Sequence, residues 1–246
     1  MDRIAGKETG YHAVPHCSIR RQSGGTLPIA MLCIACIVLF ATEARAQCTA
    51  RDVLQNHLTL KATPSGNTQP ISIKSAFAVP VWRTIAVGTF ANSFALLNAL
   101  DAAGCGIGDS AQEILARPAF TVGTTKTSVE LFALSAAELG FRTDTVPLAD
   151  IFARAQQLGF KLAAAEVAPQ LRLQYFDQPM GELLIGMEPI KTWKGEPVIL
   201  AVTNGGAGLV LIGRDGSADA EIPMASRFVF VRSNQAALAK AVNGGR

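Results

Sequence analysis

The sequence predicts an α+β domain built on a mainly antiparallel sheet, and three observations carry that expectation. The carboxyl-terminal part is a series of short apolar runs, "ELLIGMEPI", "PVILAVT", "LVLIG" and "RFVFVR". The turns between them hold Asn204-Gly205 and Asp215-Gly216, the pairs that most strongly signal hairpins. The middle of the chain carries helical stripes instead. About six or seven strands ending in a C-terminal meander, with three or four helices packed on them, follow from this pattern.

The elements are justified in chain order. Residues 27–41, "LPIAMLCIACIVLFA", are fifteen apolar or small residues, preceded by Arg20 and Arg21 and followed by Ala44-Arg45-Ala46. This is the three-part pattern of a secretory signal over residues 1–46, with cleavage between Ala46 and Gln47. The run falls short of the about 20 residues that cross a bilayer, so a retained N-terminal membrane anchor is the alternative and no stable span is expected after cleavage. The expected compartment is the periplasm or the exterior.

Removal of that segment takes five of the 22 basic and three of the 19 acidic residues, leaving a chain of 200 residues that is nearly neutral. A near-neutral chain has no basic field for nucleic acid. Of five cysteines, Cys48 and Cys105 remain, and an even pair in an oxidising compartment predicts one disulfide. His57 is the single histidine left, so a Cys/His metal site is excluded and no metal or cofactor is expected.

Residues 47–78 read as an N-terminal arm with a short helix and a Pro/Ser/Gly/Asn-rich linker, and residues 79–246 as the single domain. "VPVWRTIAVGTF" alternates as a strand, Asn92 or Ser93 caps a helix with Phe94, Leu97 and Leu100 at helical spacing, and Gly104 ends it. Ser110 and Glu113 form a capping-box pattern before a second helix stopped by Pro118. A strand over 125–134, a one-turn helix over 135–139 and a helix with the stripe Leu148, Ile151, Phe152, Ala155 and Leu158 come next. "QLRLQYF" alternates and is expected to be the first strand of the meander, with residues 233–242 as a closing helix.

Motifs with chemistry are few. "GCGIGDS" follows a helix rather than a strand and lacks dinucleotide spacing, and "VGTTKTS" lacks the first P-loop glycine, so nucleotide binding finds no support. Glu166 is expected at a loop or strand end, and Asp177 and Glu182 flank the next turn. Glu166 with Asp177 or Glu182 would serve as the acid/base pair if the protein were a metal-independent glycan hydrolase. Gln170, Arg172 and Gln174, with Tyr175 beside them, would form a polar strand face able to grip a carboxylate or a sugar, because arginine offers a planar fork and the amides both donate and accept. The competing reading makes these residues turn caps, surface pairs and the wet side of a sheet. Trp82 and Trp193 are expected to pack in the core or at a sheet edge.

The blocks "VWRTIAVGTF", "CGIGDSAQEIL", "DIFARAQQLGF", "AEVAPQLRLQY" and "FVFVR" together resemble a set of hypothetical bacterial proteins that share them in this order over residues 81–232. The resemblance implies a common fold and transfers no activity. Members of that set carry a cysteine where this chain has Ala164, which argues against thiol chemistry there. The expectation is an exported envelope protein that binds a small polar ligand or an envelope protein partner without catalysis. The alternatives are the hydrolase and a structural or inhibitory module acting through its surface.

Overall fold

The computed structural model describes Cys48, residues 72–206 and residues 208–232. All of these belong to one compact unit spanning residues 44–246. The segment read as a secretory signal, most of the arm with His57, and the helix expected at 233–242 lie outside the described residues.

The described chain opens with a 3-10 turn, Ala76–Ala78, and strand β1, Arg83–Val87. Helix α1, Ser93–Ala102, begins where Asn92 accepts a hydrogen bond from the Ala95 N–H, as the sequence indicates. It buries Leu96 and Leu100, whereas Phe94 stands 69% exposed. The short strand β2, Gly106–Ile107, leads into helix α2, Asp109–Ala116. The capping box expected there does not form. Gly108 is the N-cap, and Glu113 accepts instead from the backbone N–H of Trp193.

Strand β3, Thr127–Ser135, runs into the one-turn helix α3, Ala136–Leu139, where a capping box does form between Ser135 and Glu138. Strand β4, Thr145–Pro147, precedes helix α4, Leu148–Gln157, which buries Leu148, Ile151 and Ala155 of the predicted stripe. Then come β5, Phe160–Lys161, helix α5, Val167–Arg172, and the strands β6, Gly181–Ile185, β7, Ile190–Lys191, β8, Pro197–Asn204, β9, Leu209–Asp215, β10, Glu221–Pro223, and β11, Arg227–Arg232.

Nine strands form one sheet in the order β1-β3-β11-β6-β8-β9-β2, with β5 beside β11 and β7 beside β8, while β4 and β10 pair separately. The α+β class and the largely antiparallel character hold. The sheet is nevertheless mixed, because β11 runs parallel to β6 and β2 parallel to β9.

The last described strand does not close a meander. It inserts between β3 and β6, antiparallel to the first and parallel to the second. Phe228, Val229 and Phe230 are all buried, so both faces of β11 are covered, and a strand apolar on both faces belongs in the interior of a sheet. On one face Phe228 and Phe230 meet Phe152 of α4 with ring centroids 6.1 and 6.3 Å away, and Phe160 lies 6.0 Å from Phe230. Gly186 follows from this packing: a Cβ there would lie 2.4 Å from the Phe230 ring.

The strand expected over "QLRLQYF" is helix α5 followed by turns. Over so short a run, Leu171, Leu173 and Tyr175 fit alternation while Glu166, Gln170 and Gln174 fit helical spacing. The backbone follows the second pattern: the Gln170 N–H bonds Glu166 O at 3.1 Å and the Leu173 N–H bonds Pro169 O at 3.1 Å. Pro169 is tolerated because it lies in the first turn. Trp193 also departs from expectation, since it is 70% exposed and stacks under the Arg117 guanidinium, 3.8 Å from the ring centroid.

Within the segment read as an arm, residues 72–78 already pack: the Ile73 N–H bonds Glu138 O, the Ala76 N–H bonds Leu158 O, and Ala76 is buried. Cys48 is joined to Cys105 by a disulfide. Its backbone also donates to Ala103 O and accepts from the Leu209 N–H, which ties the end of α1 to the start of β9. No helix among the described residues is long and apolar enough to cross a membrane.

Closing a loop between cysteines 57 residues apart stabilises by about 4 kcal/mol in the chain-entropy model. Cys105→Ser is therefore expected to lower the urea midpoint by an amount equivalent to several kcal/mol. Denaturation with thiol titration of the oxidised protein checks this; an unchanged midpoint or a free thiol in the native state contradicts it.

Candidate functional site

Helix α5 places Glu166, Gln170 and Gln174 four residues apart, on one face. That face meets the outer edge of β1 and the loop after it. The Gln174 side chain accepts from the Ala86 N–H at 2.9 Å and donates to Ala86 O at 2.9 Å, so one amide reproduces both bonds of a neighbouring strand. Glu166 accepts from the Gly88 N–H at 2.9 Å and the Gly123 N–H at 2.6 Å. Gln170 meets the Thr89 hydroxyl at 2.9 Å.

Gly88 has φ +66°, and a Cβ there would lie 2.2 Å from Thr125 O, so only glycine fits where the chain turns toward the carboxylate. The structure thus brings three of the nominated residues together as internal partners of an edge strand. They do not form the polar strand face the sequence suggested.

Arg172, in the last turn of the same helix, is fully buried. Its guanidinium donates to Gln178 Oε1 and to Tyr175 O, and it has no carboxylate partner among the described residues. Its Nε–H has no hydrogen-bond partner there either. Gln178 passes the connection on, donating to Val202 O at 3.0 Å, while Asn204 donates to Gln178 O at 2.7 Å. Burial lowers the Arg172 pKa to about 10, with Tyr175 and then Asp177 opposing the shift. The side chain is a cation at neutral pH, held in a medium that amplifies its field.

The other nominated carboxylates are paired. Asp177 takes Arg83 at 3.0 and 3.2 Å, and Glu182 takes both arms of the Arg214 fork at 2.7 and 2.5 Å. Such exposed pairs contribute about 0–1 kcal/mol. Among the described residues no group of three or more His, Cys, Asp or Glu side chains is arranged to hold a metal.

Of the residues the sequence singled out for ligand binding, Tyr175 reaches a cavity. It lines a cleft of about 220 Å3 with Trp82, Ala133, Gln178, Leu183 and Arg227. The floor is set by register: Arg227 pairs with Leu183, and Val229 with Ala133, so Arg227, Leu183 and Ala133 share the face opposite Phe228 and Phe230. Trp82 and Tyr175 form the wall, edge to face, with centroids 5.1 Å apart and planes at 83°. The Arg83 guanidinium lies 4.4 Å from the centroid of the Tyr175 ring.

Burial raises the Tyr175 pKa, with Arg83 opposing, so the phenol stays protonated at neutral pH. Its hydroxyl and the Trp82 indole N–H have no hydrogen-bond partner among the described residues. Arg227 donates to Ala133 O at 3.1 Å and pairs with no carboxylate there. The cleft is therefore lined by two residues with unused donors, Tyr175 and Trp82, beside a cation without a carboxylate partner among the described residues.

Sequence reasoning missed Arg227 because the residues that surround it come from β3, β6 and the turn after α5. The one local signal was its position at the mouth of the apolar run "FVFV", where a charge marks a strand end. Glu182 lines this cleft too, whereas Glu166 and Asp177 line neither it nor the two larger cavities beside it.

Glu166→Gln replaces an acceptor oxygen with an amide facing a backbone N–H, and is expected to cost about 1–3 kcal/mol of stability. An unchanged denaturation midpoint would sink the clamp assignment. Arg172→Ala leaves Gln178 Oε1 and Tyr175 O without donors and opens a cavity, a loss of about 3 kcal/mol or more. Arg172→Met keeps the volume and removes the desolvated charge, so its loss is smaller. Melting temperatures in the order wild type, Met, Ala are expected, and Ala melting with wild type contradicts the assignment. No protein-family model, curated protein or solved structure matches this chain, so the chemistry of the cleft is read from its own geometry.

Proposed function

We propose that this is an exported bacterial envelope protein that binds a small anionic ligand without transforming it, at the cleft between Trp82, Tyr175 and Arg227. One observation carries the reading. Arg227, a cation with no carboxylate partner among the described residues, stands in a cleft whose Tyr175 hydroxyl and Trp82 indole N–H are unused. A guanidinium fork matches a carboxylate in shape and charge, and an aromatic wall excludes water from the contact.

The buried Arg172 cation, three residues before Tyr175, adds a field of the same sign. Export is supported by the three-part pattern of residues 1–46 and by a disulfide of the kind that persists in oxidising compartments. The carboxylate-pair hydrolase has less support, because Glu166 is occupied by two backbone amides and Asp177 and Glu182 by separate arginines.

Benzoate and its neutral analogue benzamide provide the test, followed by chemical-shift titration of the oxidised protein. Benzoate is expected to bind at least tenfold tighter, a difference of about 1.4 kcal/mol. Arg227→Gln is expected to erase that difference while the melting temperature holds, and Tyr175→Phe to weaken benzoate about threefold. Equal affinities for the two ligands in the wild type would refute the reading.

A further inference from the structure

The cleft has as its neighbour a chamber of about 730 Å3 with which it shares Trp82, Ala133 and Arg227. Eight of the twelve residues lining that chamber are apolar, among them Ile73, Val79, Pro80, Val81 and Leu134. Its charged residues are Lys74, Glu138 and Arg227. The Glu138 carboxylate is engaged, accepting from the Ser135 N–H at 2.7 Å and the Ser135 hydroxyl at 2.8 Å. Lys74 and Arg227 have no carboxylate partner among the described residues. The chamber is thus a largely apolar hollow lined by two cations, Lys74 and Arg227, and by one carboxylate, Glu138, that is held by hydrogen bonds.

A second cavity beside Arg227, about 720 Å3, is the more acidic one. With Glu182 and Arg214 paired to each other, Asp215 and Glu221 remain in its lining. It is therefore the less favourable neighbour for an anion held at Arg227. Whatever follows the anionic group can lie along Val79 and Val81. A purely polar acid would leave the exposed surface of these two side chains facing water, whereas an apolar tail removes it from water.

Resting on the reading of Arg227 as an anion anchor, we infer that the ligand is an amphipathic carboxylate, with its head at Arg227 and Tyr175 and its aliphatic tail in the Ile73–Val81–Leu134 chamber. A single-chain aliphatic acid has this chemistry.

The test is a calorimetric titration of the oxidised protein with acetate, hexanoate, octanoate and decanoate below their micellar concentrations, with decanol as the uncharged control. Affinity is expected to rise two- to fourfold per methylene, the upper value corresponding to about 0.8 kcal/mol for a fully buried CH2. Decanol is expected to bind at least tenfold more weakly than decanoate. Val81→Asn is expected to weaken decanoate at least threefold and leave benzoate unchanged, whereas Arg227→Gln weakens both. Affinity that is flat from acetate to decanoate, with benzoate still bound in preference to benzamide, overturns the tail and leaves the anion site standing. Decanol binding as tightly as decanoate overturns the head assignment. Loss of all discrimination between benzoate and benzamide overturns the anion site itself, and the inference with it.

Discussion

The clamp between helix α5 and the edge of β1 is the constraint on which the candidate site depends. An edge strand leaves alternate backbone groups unpaired, and proteins must cover them or risk pairing with another chain. Here the cover is a helix instead of a strand. Gln174 serves the donor and acceptor of Ala86, and Glu166 takes Gly88 with one oxygen and Gly123 with the other. A helix bound through three residues at four-residue spacing is fixed in rotation as well as position. Its remaining side chains are aimed by the same bonds: Arg172 into the interior and Tyr175, just past the helix end, onto Trp82.

The clamp also explains why a cation is tolerated inside. Arg172 has hydrogen bonds but no counter-charge, an arrangement that costs desolvation without the attraction that usually offsets it. What it provides is connection: its two arms fix the chain reversal over residues 173–178, and Gln178 and Asn204 carry that fixation to β8. Arg172 thus adds to the bonds of Gln174 with Ala86 and of Gln178 with Val202 and Asn204 in holding the segment between α5 and β6, whereas the exposed Arg83–Asp177 pair is worth little in water.

Much of the fold is legible in the sequence where the signal is local. The stripe of α4, the strands from β6 to β9, the one-turn α3 closed by Gly140, and the pairing of Cys48 with Cys105 all follow from spacing or from counting. Two failures share one physical cause. The run 166–176 satisfies alternation and helical spacing at once, and its identity is decided by Ala86, Gly88 and Gly123, residues more than forty positions away. The place of β11 between β3 and β6 is likewise a long-range choice, although the unbroken apolar run 228–231 already marked a strand covered on both faces. Site residues were legible as polar groups in an apolar context. Their roles were not, because the partners that consume Glu166, Gln170 and Gln174 and those that leave Arg227 unpaired arrive from other strands.

A chain that is almost neutral after its first 46 residues can still leave positive charge unpaired locally, because local field depends on pairing more than on net charge. The acidic residues near the sheet are spent individually: Asp177 on Arg83, Glu182 on Arg214, Glu130 on Arg232 and Glu166 on backbone amides. Arg172, buried, and Arg227, exposed beside the Trp82–Tyr175 wall, remain without a carboxylate partner among the described residues. Salt at physiological strength screens exposed charges beyond about 8 Å, so such a site acts on a ligand already in contact and adds little long-range attraction. A ligand of the class proposed for the cleft would therefore be recognised by fit within it, and the chemistry of the apolar neighbour would bear directly on its identity.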